Sequence, residues 1–326
     1  MSDVVLQVRN LQVRYDTARG PLNAVNHVSF DLHKGEILGL VGESGSGKTT
    51  LGMALVGLIR SPGRVAGGEI LLNGRNLVGI GEEAYKKVRL AEIVLIPQGA
   101  MNSLNPVTRI REQMLDGLRD HGVVMTRAEA NVHVESLLER VGLRVEVANM
   151  HAHELSGGMK QRVAMAIAIS MKPKIIIADE PTSALDVVVQ KWVIETLQDV
   201  QAELGASIIL VGHDMGLMAQ TVDRLGVMYA GRLAEIAPIR ETLIDPKHPY
   251  TRMLIESLPS VTVKQPLRGI PGLAPQLLNL PAGCAFHPRC PHVFDRCITE
   301  MPALREAEPQ RWAACHLLET NEKMTG

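Results

Sequence analysis

Two short stretches of this sequence carry the residue types needed to hold and cut a nucleoside triphosphate. Gly42-Glu43-Ser44-Gly45-Ser46-Gly47-Lys48-Thr49 fits the pattern G-x-x-x-x-G-K-[ST]. It follows an apolar run, Glu36 to Val41, and opens a segment of helical spacing, the context that a phosphate-binding loop requires. Its glycines let backbone N–H groups turn inward on phosphates, and a helix N-terminus adds partial positive charge. Lys48 is expected to reach the β- and γ-phosphates and Thr49 to ligate Mg²⁺. The nucleotide-binding set is then Gly42, Ser44, Gly45, Ser46, Gly47, Lys48, Thr49 and Thr50. Farther on, the apolar run Ile175-Ile176-Ile177-Ala178 ends in Asp179-Glu180. A buried strand end with two acids is costly unless something offsets the charge. A magnesium–phosphate site does so, with Asp179 holding Mg²⁺ through water and Glu180 polarising the attacking water. Taken alone, such an acidic end also suits a helix N-cap.

Positioning these residues requires alternating strands and helices. Val4, Leu6 and Val8 alternate with polar neighbours, as do Val28, Phe30 and Leu32, and both stretches read as strands. Further strands are predicted at Glu36–Val41, at Glu69–Asn73 with a turn at Asn73-Gly74, and at Ile93–Pro97, Lys174–Asp179 and Ala206–Val211. Helical spacing runs from Thr49 to Ile59 and through about 102–170. Strands alternating with helices predict an α/β core, here interrupted by a helical insert. After about Arg240 prolines recur, among them Pro246, Pro249, Pro259, Pro266, Pro271 and Pro288, and predict a loop-rich tail. All four cysteines lie there, in the spacing C-x₅-C-x₆-C-x₁₇-C: Cys284, Cys290, Cys297 and Cys315. In a reducing compartment such clustering points to a metal rather than to disulfides.

Between loop and acids stands Leu155-Ser156-Gly157-Gly158, followed by Met159-Lys160-Gln161-Arg162. It resembles the signature motif of ATP-binding-cassette (ABC) proteins. The resemblance implies that Ser156, Gly157, Gly158 and Gln161 cap an ATP held by a second, facing subunit. Under the same resemblance Gln98 is the Q-loop glutamine, a Mg²⁺ ligand together with Thr49 and Asp179. His213 is the switch histidine, preceded by Gly212 where the family usually has Thr. Ser183-Ala184-Leu185-Asp186 looks like the D-loop, with Asp186 crossing to the facing subunit. Tyr15 matches the aromatic that stacks on adenine, with a core tyrosine as the alternative. The catalytic set is Glu180, His213 and Gln98. The implied fold is an α/β ABC-type P-loop ATPase core, residues 1–240, with a helical signature subdomain at about 99–172. Residues 241–326 form a loop-rich, cysteine-containing C-terminal extension.

Further stretches narrow the branch. Asn102-Ser103-Leu104-Asn105-Pro106-Val107, His248-Pro249-Tyr250-Thr251, Gly269-Ile270-Pro271-Gly272 and Gly283-Cys284-Ala285-Phe286-His287-Pro288-Arg289-Cys290-Pro291 are similar to segments of ATPases from bacterial oligopeptide and dipeptide importers. After Gln98 this branch often has Asp, and here Gly99 stands instead. Relatives that import oligosaccharides or nickel share the branch, so the solute stays open. Members with the same four cysteines carry a [4Fe–4S] cluster, which needs four thiolates. The absence of a C-x₂-C knuckle weakens a zinc reading, for which His287, His292 and His316 are substitute ligands. Unmetallated thiols are the third option.

Net charge is −1 over 326 residues with 46% apolar side chains. That supports a sizeable core and gives no electrostatic case for nucleic acid, which normally needs a basic face. No apolar run approaches the ~18 residues of a membrane helix, and MSDVVLQVRN lacks the layout of a secretion signal. The expectation is a peripheral protein at the cytoplasmic face of the membrane. Its cofactors are ATP, Mg²⁺ and the cluster, with Zn²⁺ as alternative. Its expected partners are a related second ATPase, giving a heterodimer, two membrane-spanning permease subunits and, indirectly, an extracytoplasmic solute-binding protein. The rivals are a soluble ABC ATPase acting on ribosomes or DNA, a cluster-gated redox sensor and an exporter subunit.

Overall fold

A computed structural model describes residues 3–183, 185–258 and 269–322. Pro259, Pro266 and Ala184 lie outside the described residues. From the N-terminus, β1 (Val4–Thr17) and β2 (Gly20–His33) lead to β3 (Ile37–Val41), α1 (Lys48–Leu55), β4 (Gly63–Leu72) and β5 (Arg75–Asn76). Next come α2 (Glu82–Val88), β6 (Ile93–Ile96), α3 (Ile110–Asp120), α4 (Arg127–Arg140), α5 (Gly157–Ala168), β7 (Ile175–Asp179), α6 (Val187–Leu204) and β8 (Ser207–Val211). The chain continues with α7 (Met215–Thr221), β9 (Arg224–Tyr229), β10 (Arg232–Pro238), α8 (Ile239–Ile244) and α9 (Pro249–Glu256). Then follow α10 (Asp295–Thr299), β11 (Arg305–Glu308), β12 (Arg311–Ala313) and α11 (Leu317–Glu322).

These elements fall into two compact units that interleave along the chain. One unit is built on His33–Glu36 and Gly79–Val211, and the other on Val4–Leu32, Ile37–Val78 and the described residues from Gly212 onward.

In the first unit β6, β7 and β8 are neighbouring parallel strands, with Ile96 opposite Ala178 and Asp179 opposite Val211. β7 and β8 are buried at every position, as expected of parallel strands covered on both faces. The helical stretch resolves into α3, α4 and α5, with Gly122 and Gly142 in the left-handed region between them. α4 opens with a reciprocal capping box between Thr126 and Glu129.

In the second unit β2-β1-β4-β5 form one sheet and β11-β12-β10-β9-β3 are consecutive neighbours in another. The turn from β4 to β5 uses Asn73 and Gly74, both at positive φ, the geometry that a two-residue hairpin needs. α1 stops at Leu55, short of the expected Ile59. Gly57 sits at φ +64°, its N–H bonds Ala54 O and the N–H of Leu58 bonds Met53 O, a Schellman stop.

The tail differs more. Residues 305–313 supply two strands, and β12 pairs antiparallel with β10, Glu235 opposite Ala313. The β9–β10 hairpin was not read from the sequence, and the tail strands went unseen beyond Arg240, where only proline punctuation was read. No helix among the described residues is long and apolar enough to cross a membrane.

Candidate active site

In the second unit β3 delivers the chain into Gly42 and α1 receives it at Lys48. Gly42 (φ +148°) cannot carry a side chain, because a Cβ there would lie 2.1 Å from Met228 O. Gly47 (φ +101°) is equally constrained, its Cβ falling 2.1 Å from Ala24 O. The β9–β10 turn seats the loop, Gly231 N–H donating to Ser46 O at 3.0 Å. Buried Lys48 directs its Nζ to Gly42 O (2.8 Å), Glu43 O (3.1 Å) and Ser46 Oγ (3.2 Å). Ser44 and Gly45 are exposed, and Thr49 and Thr50 are half-buried on the first turn of α1. Tyr15 lies on β1 opposite Gly63. A Cβ at 63 would come within 2.5 Å of the Tyr15 ring, so glycine there leaves room for the ring. His213 is exposed just ahead of α7, whose N-terminus is capped by Asp214.

In the first unit the C-terminal end of β7 carries both acids, at the edge where open α/β sheets bind ligands. Asp179 is buried at the end of β7. Glu180 follows at φ +46°, a left-handed backbone that a non-glycine residue adopts only when its surroundings enforce it. Its N–H is held by Val211 O at 2.9 Å and its carbonyl accepts from Ser183 N. Gln98, exposed past the end of β6, donates Nε2–H to Glu180 Oε2 at 2.7 Å. Ser156 caps α5 by accepting from Met159 N. Gly158 packs where a Cβ would meet Val189 Cγ1 at 2.7 Å. Asp186 caps α6, accepting from Val189 N at 3.0 Å. Gln161 corrects an expectation: it is buried and does not share the exposed face of Ser156 and Gly157.

The tail's motifs have a common destination. The Arg289 guanidinium grips the Glu43 carboxylate with both arms, at 2.7 and 2.9 Å. Its Nε–H donates to Pro271 O at 2.8 Å and its Nη1–H to the Tyr229 hydroxyl at 3.2 Å. The Glu43 backbone N–H donates to Tyr250 Oη at 2.9 Å. Tyr250, Tyr229 and Phe286 form an aromatic cluster with ring centroids 4.6–5.3 Å apart. Buried Glu235 on β10 accepts the N–H groups of Lys247 and His248 at 2.9 Å each. It thereby anchors the start of α9.

The four cysteines line one small cavity together with His248 and His316. Burial raises the thiols of Cys284 and Cys290 and pushes Cys315 up to about 12, while backbone N–H groups of Phe286, His292 and Leu317 oppose the shift. Among the described residues no three His, Cys, Asp or Glu side chains are grouped so as to hold a metal ion.

Sequence reasoning passed over Glu43, Tyr250 and Arg289 as parts of the site. One signal was present. An acid inside a loop that must attract phosphate calls for a cation from elsewhere, and an arginine is the natural bidentate partner.

The ABC transporter family model matches residues 25–183, and the model for the oligopeptide/dipeptide transporter C-terminal region matches 234–297. The chain is 41% identical over 317 residues to the oligopeptide transport ATP-binding protein OppD of Escherichia coli (96% of this chain, 93% of that protein). It is 40% identical to the dipeptide transport ATP-binding protein DppD of Lactococcus lactis subsp. cremoris (97% and 91%). Among solved structures, the dimeric ATP-binding cassette MJ0796, in a post-hydrolysis state bound to ADP and Pi, is similar at TM-score 0.66 and 25% identity. That match covers 72% of this chain and 99% of that one.

Proposed function

The chain belongs to the ATP-binding subunits of oligopeptide and dipeptide ABC transporters, and from that premise we propose how its residues couple ATP hydrolysis to import. The 42–49 loop binds the phosphates and Tyr15 the adenine. Thr49, Gln98 and Asp179 hold Mg²⁺, which neutralises charge on the phosphates. Glu180 orients the attacking water and His213 contacts the γ-phosphate. Ser156, Gly157 and Gly158 cap the ATP of a facing cassette, so that ATP closes the dimer and hydrolysis releases it. Asp186 approaches the same partner.

The Gln98–Glu180 hydrogen bond carries the catalytic part of this reading, because it joins the proposed base to the segment that leads into the helical insert. The exposed Trp192, Val187 and Val188 on α6 suit a face that a second subunit covers. We place the protein at the cytoplasmic face of the membrane, as one half of a heterodimer of related ATPases that serves two permease subunits and, through them, a solute-binding protein. Similarity that runs through the tail does not favour a ribosome- or DNA-associated ATPase. The test is capture of the full chain from gently solubilised membranes, with mass spectrometry of what accompanies it. Two multi-span proteins and a second cassette are expected; ribosomal or repair proteins alone would overturn the importer reading.

The residues beyond 240 form, in this reading, the extension in which Cys284, Cys290, Cys297 and Cys315 hold a [4Fe–4S] cluster. What favours this reading is that the four thiols, the number such a cluster needs, line one cavity. A single zinc ion fits less well, because it needs its ligands converging within about 2.3 Å of one point. When bound, the cluster supplies a cross-link to a segment poor in regular structure. Cys290→Ser is expected to lower iron per chain after anaerobic purification; unchanged iron would remove that ligand.

A further inference from the structure

We propose that the C-terminal extension is a working part of the ATP site, with Arg289 and Tyr250 as positioning residues that fix the phosphate loop through Glu43. The proposal rests on the reading that residues 42–49 bind ATP, and goes beyond it.

The geometry is two-handed. Glu43 is the second residue of the loop, between Gly42, which must stay in a left-handed conformation, and exposed Ser44. Tyr250 takes its backbone N–H and Arg289 takes both carboxylate oxygens. Main chain and side chain of one residue are thus gripped by two different parts of the tail.

Neither grip is casual. Tyr250 is fully buried. The Arg289 side chain is only 6% exposed and lies 5.9 and 6.0 Å from the ring centroids of Tyr229 and Phe286. A surface ion pair is worth little. A bidentate pair whose arginine is almost wholly buried beside two aromatic rings has a fixed direction, and breaking it strands a charge.

The contact also explains why an acid is tolerated in a phosphate loop. Left alone, the Glu43 carboxylate would repel the anion that the loop's N–H groups attract. With Arg289 across it, that charge is neutralised and the side chain is turned toward the tail. The same arginine donates to Pro271 O. The stretches around Tyr250 and Arg289, far apart in sequence, therefore meet at one loop residue, with Pro271 bracing the arginine. An extension that served only to stiffen itself would have no need of that convergence.

The experiment measures binding of a fluorescent ATP analogue and of ADP to the purified full-length chain, alongside melting without nucleotide. The variants are Arg289→Ala, Arg289→Lys, Tyr250→Phe, Glu43→Gln and the double variant Glu43→Gln/Arg289→Ala. Arg289→Ala is expected to weaken both nucleotides about tenfold, the size of a lost hydrogen bond to a charged group. Arg289→Lys, which keeps charge without the fork, should fall between Arg289→Ala and wild type. The double variant should bind better than Arg289→Ala, since removing the stranded acid relieves it. Wild-type affinity in a folded Arg289→Ala, with only its melting lowered, would overturn the proposal, as would strictly additive losses. Lys48→Ala is the reference. If it abolishes binding while the Arg289 variants bind normally, this inference alone fails. If it binds normally, the loop is not the ATP site and the inference falls with that reading.

Discussion

Glu180 concentrates the chemistry in one residue. Its backbone is held left-handed, φ +46°, by bonds to Val211 and Ser183, and its carboxylate accepts from Gln98. Glu180→Gln keeps an acceptor oxygen for Gln98 and removes only the charge that activates water. ATP turnover is expected to fall at least about 100-fold, within the usual share of a general base, while ATP still binds. Phosphate release together with gel filtration in ATP checks this: a closed dimer that persists is expected, and normal hydrolysis would strip Glu180 of its role.

Elements were legible in the sequence in proportion to how local their signals are. β3, β7 and β8 are continuous apolar runs and the loop at 42–49 is a contiguous pattern, so both could be read directly. α1 ends early because of what Gly57 does, a stop signal present in the sequence but outweighed by helical spacing up to Ile59. β11, whose residues alternate between half-buried and exposed, gave no apolar period to read; its charges suit an edge strand. The Arg289–Glu43 pair spans 246 positions, and no local pattern encodes it. Gln161 was grouped with its neighbours by motif, although one helical turn was enough to carry it from the surface into the core. At this scale Asp186 is a helix cap as well as a candidate crossing residue. Asp186→Ala should cost about 1 kcal/mol through the lost cap, read as a small drop in melting temperature. Asp186→Asn should keep that stability, and any loss of ATP-dependent dimerisation in it would then report on the partner and not on α6.

For the molecule as a whole, a chain ended after Arg240 should not behave as a free-standing ATPase. β10 would lose β12 and expose a pairing edge. Glu235, buried on that strand, would lose the N–H groups of Lys247 and His248, leaving an acid without the donors that make its burial tolerable. Aggregation on expression is expected, seen as void-volume material in gel filtration; a monodisperse, ATP-binding 1–240 fragment would show the tail to be separable.

The reach of the tail into the phosphate loop also bears on how such chains can be recombined. Tails exchanged between related cassettes at a seam near residue 240 would separate Arg289 from Glu43. Where the other cassette lacks the pair, one hybrid would carry the arginine with no carboxylate to hold, and its reciprocal an acid in the phosphate loop with no cation opposite it. Hybrids that move residue 43 together with the tail avoid both faults, so the unit of exchange in this protein is a pair of distant residues and not a contiguous stretch of chain.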